Sequence, residues 1–149
     1  IMGEIANAVL EEGGDVIGVI PKGLFVKEVA HTGITELREV DSMHERKALM
    51  ADLSDGFIAL PGGFGTIEEI LEIITWSQLG MHRKPCGLLN VCNYYDKLIG
   101  FLDHAVSEQF IKTTHRSSIL IDERVDILLE KFEAYKAPET ARWIDRKST

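Results

Sequence analysis

Four short runs along the chain are largely apolar at consecutive positions rather than at alternate ones. They are Val16-Ile17-Gly18-Val19-Ile20, Phe57-Ile58-Ala59-Leu60, the segment CGLLNV at 86–91, and Ser118-Ile119-Leu120-Ile121. Successive side chains of a strand face opposite sides of its sheet, so a run that is apolar throughout needs cover on both faces. Segments of helical spacing lie between the runs. Met2, Ile5, Ala6, Val9 and Leu10 form one stripe over 2–12, stopped by Gly13-Gly14. Further helices are predicted over about 42–53, 66–79, 94–109 and 124–135, with Glu36–Val40 as a short strand and 22–35 as a long loop. This alternation predicts an α/β fold, an open, doubly wound parallel sheet with helices on both faces. One domain is expected over 1–135, with 136–149 as a polar tail.

Composition narrows what such a domain can meet. The chain has 149 residues, 45% of them apolar and 27% charged, which suits one domain with a buried core and excludes a disordered tail or a disulfide-stapled miniprotein. With 16 basic against 24 acidic residues, the net charge of −8 repels a phosphate backbone, so nucleic acid is not an expected partner. No apolar stretch approaches the length of a membrane span and no signal peptide opens the chain, so neither a membrane partner nor export is expected, and the cytoplasm is the expected compartment. Cys86 and Cys92 fall in what reads as one strand, too far apart to bond and wrongly spaced for zinc. Both are expected to be buried free thiols. The chain opens at Ile1 with a helix already under way, as the back three quarters of a longer domain would.

The most unusual segment is FIALPGGFGTIEE at 57–69, a buried strand, a glycine-rich turn and a helix start. Gly62, Gly63 and Gly65 let the backbone approach a ligand and take positive φ where needed. The helix N-terminus offers amide donors and the positive end of a dipole. The pattern is neither G-x-G-x-x-G nor a Walker loop, and it carries no lysine, so a single monophosphate fits better than a triphosphate. A tight turn alone is the simpler alternative. Glu69 admits two readings: it stands three residues after Thr66, the spacing of a capping box, and with Glu68 it also brings negative charge to a loop suited to an anion, which points to chemistry.

The preceding helix opens Ser42-Met43-His44-Glu45-Arg46-Lys47, with Ser42 and Glu45 at capping-box spacing. Met43, Arg46, Lys47 and Met50 share a face. Bases early in a helix oppose its dipole, so Arg46 and Lys47 are expected to have another partner. Recognition of a carboxylate or phosphate by the planar guanidinium is one reading and a solvated surface charge is the other. His44 reads as structural.

The motifs MHERKALM at 43–50 and PGGFGTIEE at 61–69 resemble the paired signatures of the LONELY GUY (LOG) family, cytokinin-activating phosphoribohydrolases long mislabelled as lysine decarboxylases. The similarity continues through IMGEIANAVL, VIGVIPKGL, EVAH, TWSQLGMHRKP, GLLN and NYYDKL, over about residues 1–125. Many relatives read Asp-Gly where this chain has Cys92-Asn93, a turn change expected to matter little. The resemblance implies a Rossmann-like fold and hydrolysis of the N-glycosidic bond of a nucleoside 5′-monophosphate to a free base and ribose 5-phosphate. It implies no cofactor and no metal, and a homodimer or larger assembly with active sites near the subunit interface.

It carries catalytic roles onto Arg46 and Glu69. Substrate contacts fall on Glu28 of EVAH, on Arg46 and Lys47, and on Thr75. They also run along the loop, from Gly62, Gly63 and Phe64 through Gly65 and Thr66 to Ile67, Glu68 and Glu69. Cleavage of a ribosyl C–N bond develops oxocarbenium character, which a carboxylate can stabilise while activating water. Decarboxylation normally uses pyridoxal phosphate on a Schiff-base lysine, and no accompanying site is visible in the sequence. A nucleotide-binding or carrier protein of the same fold that does not hydrolyse is the alternative. Family members carry a strand, a helix and a second strand before the helix at position 2, so the fold is expected to be entered about 45–50 residues late. If the chain begins at Ile1, an exposed sheet edge and poor activity are expected.

Overall fold

The computed structural model describes residues 1–22 and 33–138. Most of the expected 22–35 loop and most of the expected tail lie outside the described residues. The chain divides into two compact units, 1–54 and 55–149, each described by itself.

The first unit runs α1 (Met2–Glu11), β1 (Ile17–Pro21), β2 (Glu36–Val40) and α2 (Met43–Leu53). Helix α1 ends as its Gly-Gly pair dictates. Gly13 takes φ +78° and its N–H donates to the Leu10 carbonyl, while Gly14 N–H donates to the Val9 carbonyl, the bond pair of a Schellman stop. Strands β1 and β2 are parallel, Ile17 opposite Glu36 and Pro21 opposite Val40. Helix α2 packs on both strands. Ser42 is its N-cap, its Oγ accepting from Glu45 N–H at 3.1 Å, and the Glu45 carboxylate accepts from Asp41 N–H at 2.8 Å. The predicted capping box is therefore formed, reaching back one residue further than usual.

The second unit contains β3 (Phe57–Ala59), α3 (Phe64–Gln78), β4 (Cys86–Leu89), a 3₁₀ turn (Val91–Asn93), α4 (Asp96–Ser107), α5 (Thr113–Ser117), β5 (Ile119–Asp122) and α6 (Val125–Glu133). Its sheet is parallel in the order β3-β4-β5. All four residues of β4 are buried. Because they alternate between faces, both faces are covered, as the apolar run requires. Helix α3 packs against β3 and β4, and α6 against β4 and β5. Both sets of strands are thus parallel and flanked by helices, the arrangement of a Rossmann-like α/β fold.

Three expectations are corrected. Helix α3 begins at Phe64 rather than at 66, α5 was not anticipated, and Cys92 is not in a strand. Strand β4 ends at Leu89 because Asn90 turns the chain, its Oδ1 accepting from Tyr95 N–H at 2.7 Å. Cys92 is consequently exposed, while Cys86 is buried and its thiol is pushed up to about 12 by desolvation. Cys92 and Asn93 take φ of +52° and +61°, left-handed geometry that Asn tolerates better than Cys. Among the described residues no helix is long and apolar enough to cross a membrane.

Gly87 lets α6 sit directly on β4. A Cβ there would lie 2.7 Å from Phe132 Cε2 and 3.1 Å from Leu128 Cδ1. Leu128 is fully buried, so its methyl has no room to move aside, and the half-buried Phe132 ring would have to shift. Gly87→Ala should therefore cost about 1–3 kcal/mol, read as a lower urea midpoint with an unchanged slope. An unchanged midpoint would contradict this seating of α6.

Candidate active site

The turn after β3 is arranged differently from a capping box. Gly63, not Thr66, is the N-cap of α3, with extended φ −85° and ψ −155°. The first intrahelical bond runs from Ile67 N–H to the Gly63 carbonyl at 3.1 Å. The amides of Phe64, Gly65 and Thr66 precede it and are the donors every helix leaves at its start. Thr66 instead folds over Gly62, where an added Cβ would collide with the Thr66 hydroxyl and approach its Cβ to 2.9 Å. With the helix two residues longer, Glu69 is its sixth residue and has no capping-box place. Glu69 is half-buried and Glu68 exposed, so the two adjacent carboxylates sit in different surroundings. Ile67 is half-buried beside them, and Phe64 is 94% exposed at the helix's first position.

The glycines divide by role. The described glycines with positive φ are Gly13 and Gly80, so none of the three loop glycines needs left-handed geometry. Gly62 is required by Thr66. At Gly63 and Gly65 an added Cβ would meet nothing within 4 Å. Gly65 lies inside α3, where glycine costs about 0.5–1 kcal/mol relative to alanine. Packing within this unit offers no return for that cost, and open space above a helix N-terminus is what close approach of an anion requires.

The turn is also held from the side, by residues that the sequence reading did not single out. Tyr94 Oη donates to the Gly62 carbonyl at 2.7 Å, and Tyr95 Oη donates to the Leu60 carbonyl at 2.5 Å. Tyr95 is 1% exposed. Burial, with a smaller contribution from Tyr94, raises its phenol above the usual value and keeps it a donor at neutral pH. Behind them, the Asn90 side chain binds Tyr95 N–H and donates to Asp96 Oδ1 at 2.9 Å. The Tyr-Tyr pair shortly after the apolar run at 86–91 was the available signal.

In the first unit, Arg46 and Lys47 lie in the first turns of α2 and are half-buried. Arg46 Nε donates to the Val19 carbonyl at 3.1 Å. Since the Val16 carbonyl accepts from Glu36 of β2, alternation turns the Val19 carbonyl to the opposite edge of β1. Arg46 thus has the partner that its position against the dipole demands, and the guanidinium is fixed against the middle of β1. Thr75 lies on α3 roughly 16 Å along the axis from Phe64. It is exposed, its hydroxyl donating back to the Leu71 carbonyl at 2.7 Å. Glu28 lies outside the described residues.

A shallow depression of about 390 Å³ at the carboxyl ends of β4 and β5 is lined by Asn90, Ile121, Asp122, Glu123 and Arg124. Its cations already meet carboxylates: Arg124 pairs with Asp126, and Lys131 nearby pairs with Asp122 at 2.7 Å. The hydrogen bond from Lys131, then that from Arg124 N–H, holds Asp122 below the ordinary aspartate range. An acidic rim of this kind does not suit an anion.

The profile of a family described as possible lysine decarboxylase matches residues 2–132. A probable cytokinin riboside 5′-monophosphate phosphoribohydrolase of Oryza sativa subsp. japonica is 54% identical over 135 residues, 91% of this chain and 60% of that protein. The cytokinin riboside 5′-monophosphate phosphoribohydrolase of Rhodococcoides fascians is 53% identical over 122 residues, 81% of this chain and 62% of that protein. One from Arabidopsis thaliana is 49% identical over 148 residues, 99% of this chain and 69% of that protein. The chain therefore spans less than two thirds of the length of the first two of these relatives.

The packing of Thr66 over Gly62 is open to a thermodynamic cycle. Gly62→Ala should destabilise, and Thr66→Ala in the same chain should recover part of that loss, giving a coupling of about 0.5–3 kcal/mol. Strict additivity in urea denaturation would show that the two residues do not touch.

Proposed function

The chain belongs to the LONELY GUY family, and from that premise we propose that it hydrolyses the N-glycosidic bond of a nucleoside 5′-monophosphate to free base and ribose 5-phosphate. The base is adenine or a prenylated adenine, as the cytokinin substrates in the relatives' names suggest. The observation that carries the reading is the start of α3, where amide donors open beside two glycines that nothing in the unit fills. Such a cradle suits the 5′-phosphate.

In the reaction, the bond between C1′ and the base nitrogen lengthens and positive charge grows on the sugar. The Glu69 carboxylate stabilises that charge and takes a proton from the attacking water. The water oxygen becomes the C1 hydroxyl of ribose 5-phosphate, and the base leaves with the electron pair of the broken bond and takes up the proton that the water gave to Glu69. The Gly62–Thr66 backbone holds the phosphate, with Phe64, Ile67 and Glu68 lining the same helix start. Arg46 and Lys47 bring cationic donors to the substrate, Arg46 serving catalysis as well, and Glu28 and Thr75 complete the substrate contacts. The protein works without cofactor as a cytoplasmic homodimer, both units belonging to one Rossmann-like domain over 1–135.

Two experiments test the reading. Full-length protein should release ribose 5-phosphate from AMP or isopentenyladenosine monophosphate, and Glu69→Gln should lower kcat at least about a hundredfold while nucleotide binding survives. Binding without turnover by wild type would support a carrier instead, and an unchanged rate in the variant would remove Glu69 from the chemistry. Gly65→Ala should separate fold from function, gaining about 0.5–1 kcal/mol of stability while kcat/KM falls about tenfold through a blocked phosphate approach. A more stable variant of full activity would leave the open glycine without a role.

A further inference from the structure

The hydrogen bonds from the two tyrosines to the glycine turn differ in what they can control. A trans peptide carries its carbonyl and the following N–H on opposite sides, so holding one aims the other. Tyr95 holds the Leu60 carbonyl, but the next residue is Pro61, which has no N–H to aim. Tyr94 holds the Gly62 carbonyl, and the next residue is Gly63, the N-cap of α3. Among the described residues the Gly63 N–H donates to nothing. A peptide between two glycines meets little steric resistance to turning over, so its orientation must be chosen by a partner.

We propose that Tyr94 is a positioning residue for the phosphate cradle. Its hydroxyl fixes the Gly62–Gly63 peptide so that the Gly63 N–H points away from the tyrosine and joins the amides of the α3 start. This rests on the phosphate-binding reading of the loop. Tyr94 can serve because its own place is fixed from behind. Its ring meets that of Tyr95 edge-on at a centroid distance of 5.0 Å. Tyr95 in turn is buried and tied to Asn90, itself only 6% exposed. The pair is delivered by the left-handed turn at Cys92 and Asn93. Tyr94 remains 51% exposed, so its hydroxyl contributes little to the core and its role lies at the turn.

The asymmetry supplies the test. Full-length wild type, Tyr94→Phe and Tyr95→Phe are titrated with ribose 5-phosphate, assayed with AMP and melted. Tyr94→Phe should weaken ribose 5-phosphate binding and raise KM about tenfold, the loss of one charge-assisted donor, with kcat and melting temperature close to wild type. Tyr95→Phe should lower the melting temperature by a few degrees, and leave KM and ribose 5-phosphate binding unchanged. Wild-type affinity for ribose 5-phosphate in Tyr94→Phe overturns the positioning role and leaves the phosphate reading standing. Equal weakening in both variants also overturns it, because general loosening would then explain the effect. A wild type that neither binds ribose 5-phosphate nor turns over AMP overturns the phosphate reading and the proposal together.

Discussion

Strand β4 is buried at every position from Cys86 to Leu89, and that double-sided burial governs the arrangement of the second unit. A strand with no exposed face must sit centrally, with β3 and β5 on its edges and helices above and below. Close seating of α6 then requires a glycine at 87, and Phe132 and Leu128 occupy the space its missing side chain leaves. Parallel strands deliver their carboxyl ends to one rim. There β3 releases the glycine turn and β4 releases the Asn90–Tyr95 segment, and these two stretches bind each other through both tyrosine hydroxyls. The geometry of the core thus reaches the candidate site through only a few covalent bonds and two hydrogen bonds.

The glycines show how a small residue serves distinct physical ends in one chain. Gly13 and Gly80 stop helices in left-handed geometry, and Gly62 and Gly87 make room for a neighbour's side chain. Gly63 and Gly65 do neither. A helix interior is disfavoured ground for glycine, and the phosphate approach proposed above would give the glycine at 65 a purpose that packing within the unit does not. The same logic separates the tyrosines: one satisfies a carbonyl and supports the fold, the other aims a donor.

Much of this was legible in the sequence because the governing patterns are local. The apolar runs located β1, β3, β4 and β5 to within a residue or two, except that β4 stops earlier, and Ser42 with Glu45 announced the start of α2. The start of α3 was misread because Thr66-Ile67-Glu68-Glu69 imitates a capping box, whereas the true cap, Gly63, has no side chain to betray it. Helix α5 is five residues long and too short to show a stripe. Cys92 was misplaced because the end of β4 is set by the Asn90 side chain rather than by hydropathy. The tyrosine bonds join residues 32 and 35 apart, and the Arg46–Val19 bond spans 27, separations at which no periodicity carries information.

The central claim is that the start of α3 binds the 5′-phosphate and uses that binding to drive cleavage. Its most direct test compares a nucleoside 5′-monophosphate with the same nucleoside lacking the phosphate, under identical conditions with full-length protein. Several charge-assisted donors should be lost with the phosphate, so kcat/KM should fall by at least about 10²–10³. Equal cleavage of nucleoside and nucleotide would contradict the account, leaving the open glycines and the helix start without the ligand that explains them.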